Sequence, residues 1–373
     1  MMVRVLYFVD RLLWGGIQSL CYDIISHMDA SEVTIDLLTL DDGQLYELES
    51  TLKNMGIQVF KLKGVWLRKP TDFIAYLKAL RKFFQEHPCY DAVHLNSSSK
   101  NVFVLYYAKK AGIPVRIAHS HSIDYSSNNM LWKVVGDVLK YPLRKVATHY
   151  LACSQIAGEW LFGKSAVKNR KVKIVKNAIA VDDFTFHQEW RDQLRKDLHI
   201  ENKFVIGCIG RFVPLKNHQF LIHIIYELKK KEENVCLLLI GTGVLEEELR
   251  GRVKSLGLGD NVIFLGFRTD RNKWLSAMDA FVLTSSFEGL GIVLIEAQAA
   301  ALPTFAPLHV VPIEAKISSL LSFVSLEESP ETWADRILKG RGRERLNMTE
   351  CVRKAGYDMN QVIKEIKKLY SGK

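Results

Sequence analysis

A chain of 373 residues is long enough for two domains, and 48% hydrophobic with 25% charged residues is the composition of a folded, core-forming protein. No apolar run approaches the ~18 residues that a membrane span needs, and six scattered cysteines without a CxxC pair argue against a disulfide framework and for reduced thiols in the cytoplasm. The formal net charge of +10 is unevenly spread: residues 1–180 hold 24 Lys+Arg against 15 Asp+Glu, and the rest holds 27 against 26.

The opening MMVRVLYFVDRLLWGG is apolar, but Arg4, Asp10 and Arg11 interrupt it, so it reads as a first strand rather than a signal peptide. Further β-rich runs follow at 33–40, 57–62, 92–97, 115–120 and 148–154. A second series begins at Lys203, with runs at 203–212, 235–243, 261–267, 280–285 and 303–307. Amphipathic stretches such as IQSLCYDIISHM and HQFLIHIIYELKKK separate them. Strand and helix alternating twice over predicts two parallel α/β sheets. The polar stretch NAIAVDDF (177–184) marks the break, which places one domain at 1–180 and a second at 181–356. The final segment, 357–370, reads as a helix with a basic tail.

The basic excess of the first half lies partly in helical segments with aromatics, 71–84 and 131–146, and partly in KSAVKNRKVKIVK (164–176), with six basic residues and no acid. Basic amphipathic faces beside aromatics suit an anionic membrane surface. Nucleic acid is the rival, but no RNP, helix-turn-helix or zinc-finger pattern is present, and a solvated basic face is the plain alternative.

In open parallel sheets, ligands bind beyond the carboxyl ends of the strands. After the first strand comes WGGIQS, where Gly15 and Gly16 head a helix and leave room for close backbone approach. The loops carry no complete GxGxxG and no GxxxxGK[ST], which argues against a dinucleotide fold and a P-loop. His119 and His121, in HSH, sit at a strand's carboxyl end, and without a matching HxH, DxD or CxxC downstream they do not make a metal site. The second half offers more. Arg211 and Lys216 follow one strand, and Glu288 and Glu296 follow another, bracketing an uncharged GLGIVLI. Two cations suit a pyrophosphate, and two carboxylates suit sugar or ribose hydroxyls. Gly289, Leu290 and Gly291 leave backbone amides free to face phosphate oxygens at a helix N-terminus. A helix N-terminus would also hold Glu288 for structural reasons alone.

GRFVPLKNH, LLIGTGVLEEEL, VIFLGFR and above all SSFEGLGIVLIEAQAA resemble the second half of a family 4 glycosyltransferase. WGGIQ, IAHSH, YLACS and VKNAI follow the order of the family's first half, and HSH with ACSQIAGEWLFG resembles its bacterial capsule and exopolysaccharide branch. The resemblance implies a GT-B fold: two Rossmann-like domains with parallel sheets facing a central cleft, and the last helix packing back on the first. It implies retaining transfer of a hexosyl or N-acetylhexosaminyl unit from a nucleotide sugar, UDP-linked by default, with no metal or other cofactor. The acceptor would be a lipid-linked glycan at the cytoplasmic membrane face, with the protein peripherally attached there. By the same resemblance Arg211 and Lys216 bind the pyrophosphate, Glu288 holds the transferred sugar and Glu296 the ribose. Phe267 and Arg268 lie by the nucleobase, Gly15 and Gly16 near sugar and acceptor, and His119, rather than His121, reaches the sugar. The chain departs from the family pattern at Asn177-Ala178-Ile179-Ala180, which lacks the usual glycine and acid, and at Thr242. Two rivals share this fold expectation: a nucleotide-sugar 2-epimerase, which would need acid/base groups around C2, and a non-catalytic sugar-binding scaffold, which would tolerate loss of the charged pairs.

Overall fold

The computed structural model describes residues 2–62, 70–122 and 130–372. The chain divides into two compact units, Met1–Ala178 with Met359–Lys373, and Ile179–Asp358. Each is built on a parallel sheet. The first unit has β1 (Val3–Val9), β2 (Val33–Leu40), β3 (Val59–Leu62), β4 (Ala92–Asn96), β5 (Val115–Ser120), β6 (His149–Ala152) and β7 (Val172–Ile174), in the order β3-β2-β1-β4-β5-β6-β7. The second has β8 (Phe204–Ile209), β9 (Val235–Ile240), β10 (Val262–Gly266), β11 (Ala280–Val282), β12 (Thr304–Pro307) and β13 (Leu321–Val324), in the order β10-β9-β8-β11-β12-β13. Both are doubly wound, Rossmann-like sheets whose order reverses once, between β1 and β4 and between β8 and β11.

The strands read as unbroken apolar runs because helices cover both faces of each sheet. All six residues of β8 and of β9 are buried. The last helix, Met359–Tyr370, belongs to the first unit: Val362, Ile363, Ile366 and Tyr370 form one helical stripe buried with Val5, Tyr7, Leu20 and Ile24.

Two strands escape a reading of the sequence. β7 lies inside the basic run 164–176, and two of its three residues are exposed, so neither alternation nor apolarity marks it. Its pairing with β6 makes it a strand. β13 is four residues long and held by β12. The buried helix after Gly291 spans Ile292–Ala299 and stops before Pro303, with Ala301 at φ +56 turning the chain into β12.

The glycines after β9 have a structural task. The amide of Phe212 donates to the Thr242 carbonyl at 2.9 Å, and that of Leu245 donates to the Phe212 carbonyl at 3.1 Å. A Cβ on Gly241 would lie 2.0 Å from the Gly210 carbonyl oxygen, and one on Gly243 would lie 2.4 Å from that of Phe212. The GTG turn therefore seats the 210–212 segment that carries Arg211. Gly241, at φ +141, allows no side chain. Gly241→Ala is expected to destabilise the second unit by about 2–5 kcal/mol through backbone overlap and strain. Gly251→Ala, on an open helix face with nothing within 4 Å of the added carbon, is expected to stabilise it by about 0.5–1 kcal/mol. Denaturant unfolding of the two variants checks the contrast.

Candidate active site

The reversal in the second sheet sets the loops after β8 and β11 side by side, and both carry charge. The loop after β8 closes in a single 3-10 turn, Pro214–Lys216, followed by Asn217 in the left-handed region at φ +49. It is tied to the loop after β11: the Thr284 hydroxyl donates to the Asn217 carbonyl at 2.9 Å, and the Ser286 amide donates to the Leu215 carbonyl at 2.8 Å. Lys216 Nζ meets Glu288 Oε1 in an ion pair, with the Glu288 side chain only 8% exposed. The Ser285 hydroxyl donates to the same oxygen at 2.7 Å. One carboxylate oxygen is thus pinned twice, and Glu288 Oε2 has no donor among the described residues. An ammonium carries three protons, so Lys216 keeps donors beyond the one given to Glu288. Arg211 is exposed and makes no ion pair among the described residues. The structure therefore brings Lys216 and Glu288 into direct contact and leaves Arg211 open on the loop that leads to them.

Gly291, at φ +72, is the N-cap of the helix Ile292–Ala299, and a Cβ there would press on the Leu294 side chain at 3.1 Å. Gly289 differs, because nothing lies within 4 Å of an added Cβ. The amides of Gly289, Leu290 and Gly291 have no acceptor among the described residues. Glu296 lies one helical turn further in and is buried. Its Oε1 meets Arg271 at 3.3 Å and its Oε2 has no partner among the described residues. Burial pushes this carboxyl above its ordinary range, opposed by the Arg271 charge. A buried carboxylate oxygen without a donor costs about 1–3 kcal/mol, so the site holds an acceptor in want of a hydroxyl or amide. Arg268 is engaged by Asp270 through two contacts of 3.0 Å and lies over the Trp274 ring at 5.0 Å. Phe267 beside it is half-buried.

In the first unit, Gly15 is extended at φ −170 and precedes the helix Gly16–His27. Gln18 Nε2 donates to the Arg11 carbonyl at 2.8 Å and steadies the turn, and no atom lies within 4 Å of an added Cβ on Gly16. Side chains alternate across a strand, and the register pairs Tyr7 with His94 and His94 with Ile117. One face of β1, β4 and β5 therefore carries Tyr7, His94 and His119 together. His119 Nδ1 is 3.1 Å from His94 Nε2, and its Nε2 is buried without a partner among the described residues. His121, just past β5, points Nε2 at Asn96 Oδ1 at 3.0 Å, and its ring centre lies 3.9 Å from that of His119. Burial holds the three imidazoles neutral, with His94 pushed down to about 3, His121 to about 4 and His119 well below the usual range. Among the described residues, no group of three or more His, Cys, Asp or Glu could hold a metal ion.

Reading the sequence missed His94, Ser285, Arg271 and His218. His94 is a polar residue inside an apolar strand run, the one signal that marks it. Ser285 and Arg271 become neighbours of the two glutamates through folding alone. His218 follows Lys216 by two residues and is buried edge-on to Phe212 at 5.0 Å. Burial, and then the Lys216 charge, push its imidazole down to about 4.

Comparison with known proteins covers both units. Residues 14–183 match the model of Glycosyltransferase Family 4, and residues 190–339 match that of Glycosyl transferases group 1. A putative glycosyltransferase, EpsF, of Bacillus subtilis (strain 168) is 28% identical over 99% of this chain and 96% of its own length. The capsular polysaccharide biosynthesis glycosyltransferase CapH of Staphylococcus aureus is 24% identical over 100% and 99%. Among solved structures, Anabaena HepE in complex with UDP and glucose superposes with a TM-score of 0.77 at 19% identity, over 99% of each chain. With one model on each doubly wound unit and likeness running from end to end, the chain is a GT-B-fold glycosyltransferase related to the family 4 and group 1 families.

Proposed function

We propose that this protein transfers a hexosyl or N-acetylhexosaminyl unit from a nucleotide sugar, UDP-linked, with retention of anomeric configuration and without a metal ion, to a lipid-linked glycan in capsule or exopolysaccharide synthesis. The observation that carries the reading is the group at the second sheet's reversal. Lys216, with spare donors, pairs with Glu288, whose second oxygen is open, while the exposed Arg211 precedes Lys216 on the same loop and the open amides of 289–291 follow Glu288 directly. No contact among the described residues asks for glycine at 289, which suits a ligand phosphate lying against the backbone. CapH's role in capsular polysaccharide and the UDP bound to HepE support the donor class and the pathway.

The residues divide the work as follows. Arg211 and Lys216 neutralise the departing diphosphate, which removes the need for a divalent ion. The departing phosphate oxygen takes the acceptor's proton on the face it leaves, so no protein nucleophile is required. Glu288, held by Lys216 and Ser285, accepts a hydroxyl of the transferred sugar. Glu296 Oε2 accepts from the ribose, Phe267 and Arg268 border the base, and His119 reaches the sugar. Gly15 and Gly16 leave space for sugar and acceptor. Incubating the purified protein with a panel of nucleotide sugars, with and without EDTA, and following nucleotide release tests the reading. Turnover lost to EDTA and restored by Mg²⁺ refutes metal independence, and release from none of the panel refutes the transfer itself.

The two glutamates should separate kinetically. Glu288→Gln is expected to lower kcat by roughly tenfold to hundredfold, the effect of about 1.5–3 kcal/mol for a charge-assisted contact that tightens as the glycosidic bond stretches. Glu296→Gln should raise the donor KM, because ribose is remote from the reacting carbon and its binding is largely uniform. The same substitution removes a buried charge, so the ligand-free protein should melt no earlier than the native one. Its native carboxyl has a raised pKa and holds its proton to higher pH than in the unfolded chain. That group's contribution to stability therefore falls as pH rises from the unfolded to the folded value, and the variant should lose this dependence. Steady-state kinetics with melting curves across pH decide it, and equal kcat losses in both variants contradict the division of roles.

The membrane face has a candidate helix. Along Met130–Val146, the side chains of Met130, Val134, Val138 and Tyr141 are 73%, 52%, 66% and 63% exposed. Their spacing of four, four and three residues puts them on one face. Lys133, Arg144 and Lys145 lie along the same helix, and Lys145 Nζ sits 5.5 Å from the Tyr141 ring centre. The side chains of Leu131 and Trp132, part of the basic-aromatic segment, lie outside the described residues. Among the described residues no helix is long and apolar enough to cross a membrane, so the attachment proposed is peripheral. Val134→Glu with Val138→Glu should abolish flotation with vesicles rich in phosphatidylglycerol, whose binding to the native protein should weaken with salt. Undiminished flotation of the double variant would place the contact elsewhere.

A further inference from the structure

A line of buried polar side chains runs through the first unit. Tyr7 and Tyr370 place their hydroxyls 2.5 Å apart, Tyr370 OH lies 2.8 Å from His94 Nδ1, and His94 Nε2 lies 3.1 Å from His119 Nδ1. The planes of the two imidazoles are within 16° of parallel. All four residues are buried to within 2% of complete. The line begins at Tyr7 on β1, passes through the last helix and β4, and ends at His119 Nε2, which has no partner among the described residues.

With neutral imidazoles, hydrogen bonding allows two proton orders along this line. In one, every hydrogen points from His119 towards Tyr7: His119 Nδ1–H donates to His94, His94 Nδ1–H donates to Tyr370, and Tyr370 donates to Tyr7. The Tyr7 hydrogen then has no acceptor, since this fully buried hydroxyl meets no other polar group among the described residues. In the reverse order Tyr7 donates to Tyr370, Tyr370 to His94 Nδ1, and His94 Nε2–H to His119 Nδ1. Every hydrogen inside the line is used, and the one left over is His119 Nε2–H. The first order leaves two buried ends unmet, the Tyr7 hydrogen and the His119 Nε2 lone pair, and the second leaves one, the His119 Nε2–H; at about 1–3 kcal/mol for each unmet buried polar group, the second order wins.

We propose that Tyr370 and His94 are positioning residues that fix His119 in the Nε2–H tautomer, so that it presents a neutral hydrogen-bond donor to an oxygen of the bound sugar. The inference rests on the reading of His119 as a sugar contact and adds its direction: His119 donates and does not act as a base. It also gives the last helix a task at the site, since Tyr370 is the residue that dictates which nitrogen of His94 carries the proton. Tyr7 supplies an internal control. Without its hydroxyl, Tyr370 can still donate to His94 with nothing left unsatisfied inside the line, so the order survives.

The test uses the full-length protein labelled with ¹⁵N-histidine, with His119 assigned by comparison with His119→Gln. Long-range ¹H–¹⁵N correlation distinguishes the two neutral tautomers and protonated imidazole. The native protein and Tyr7→Phe are expected to show His119 protonated at Nε2 alone. Tyr370→Phe is expected to show both tautomers in exchange and a fall in kcat of about tenfold, the equivalent of one hydrogen bond, with kcat in Tyr7→Phe changed less. Melting curves of the two tyrosine variants, each lacking one hydroxyl from the same buried pair, control for stability. A native His119 protonated at Nδ1, an unchanged tautomer in Tyr370→Phe, or equal kcat losses in the two tyrosine variants overturns the proposal. The spectra are read without substrate, so a native enzyme that transfers no sugar would refute the proposed function separately from the tautomer.

Discussion

The rest of the structure depends on the geometry of parallel pairing. In a parallel sheet all strands deliver their carboxyl ends to one edge, and where the order reverses the chain after the two neighbouring strands leads to helices on opposite faces, which leaves a crevice at their loops. Both sheets reverse once, at β1/β4 and at β8/β11. At β8/β11 the adjoining loops carry Arg211, Lys216 and Glu288, and at β1/β4 the loop after β1 carries the Gly15–Gly16 turn while His94, on β4 itself, belongs to the polar face behind it. The close strand packing behind this edge is set by small residues. Gly207 on β8 has no room for a side chain because Met278 fills the space beside it, and Gly241 and Gly243 let the 210–212 segment lie against the turn after β9. The chemistry at the edge is thus positioned by backbone hydrogen bonds and the absence of side chains at three glycines.

In both units the edge holds a buried polar atom that the fold leaves unsatisfied. Glu296 Oε2 is sealed behind its ion pair with Arg271, and His119 Nε2 ends the line from Tyr7. Such atoms work against stability, and each lies where the proposed function places a ligand hydroxyl or oxygen. The Lys216–Glu288 pair follows the same logic differently. Each partner is satisfied by the other in the free protein, and each retains capacity for a ligand: further N–H donors on Lys216 and an open oxygen on Glu288.

Neutral imidazoles cluster in the first unit, whereas the second sets its exposed cations beside a single buried histidine, His218. The first unit buries three histidines held uncharged by desolvation. The second keeps Arg211 exposed and Lys216 partly exposed. A neutral donor suits contact with a sugar hydroxyl, and fixed cations suit a diphosphate that gains charge as it departs. The division matches the chemistry proposed for each unit without requiring a titrating group near neutral pH.

The strand-and-helix alternation, the doubled parallel architecture and the kinship with GT-B glycosyltransferases are legible along the chain because local signals carry them: apolar runs, the glycines of EGLG and GTG, and charges at short, fixed spacing. Eleven strands are visible as apolar stretches, whereas β7 and β13 exist through their neighbours' hydrogen bonds and leave little trace in composition. The charged group at 211, 216 and 288 was legible for the same reason, since each member follows an apolar run by a few residues. Tertiary structure alone decided that Lys216 and Glu288 touch, that Ser285 shares their oxygen, that Arg271 meets Glu296, and that Tyr370 reaches His94 across 276 positions of sequence. Those contacts depend on strand order and on the path of the last helix, and a pattern read along the chain has no access to either.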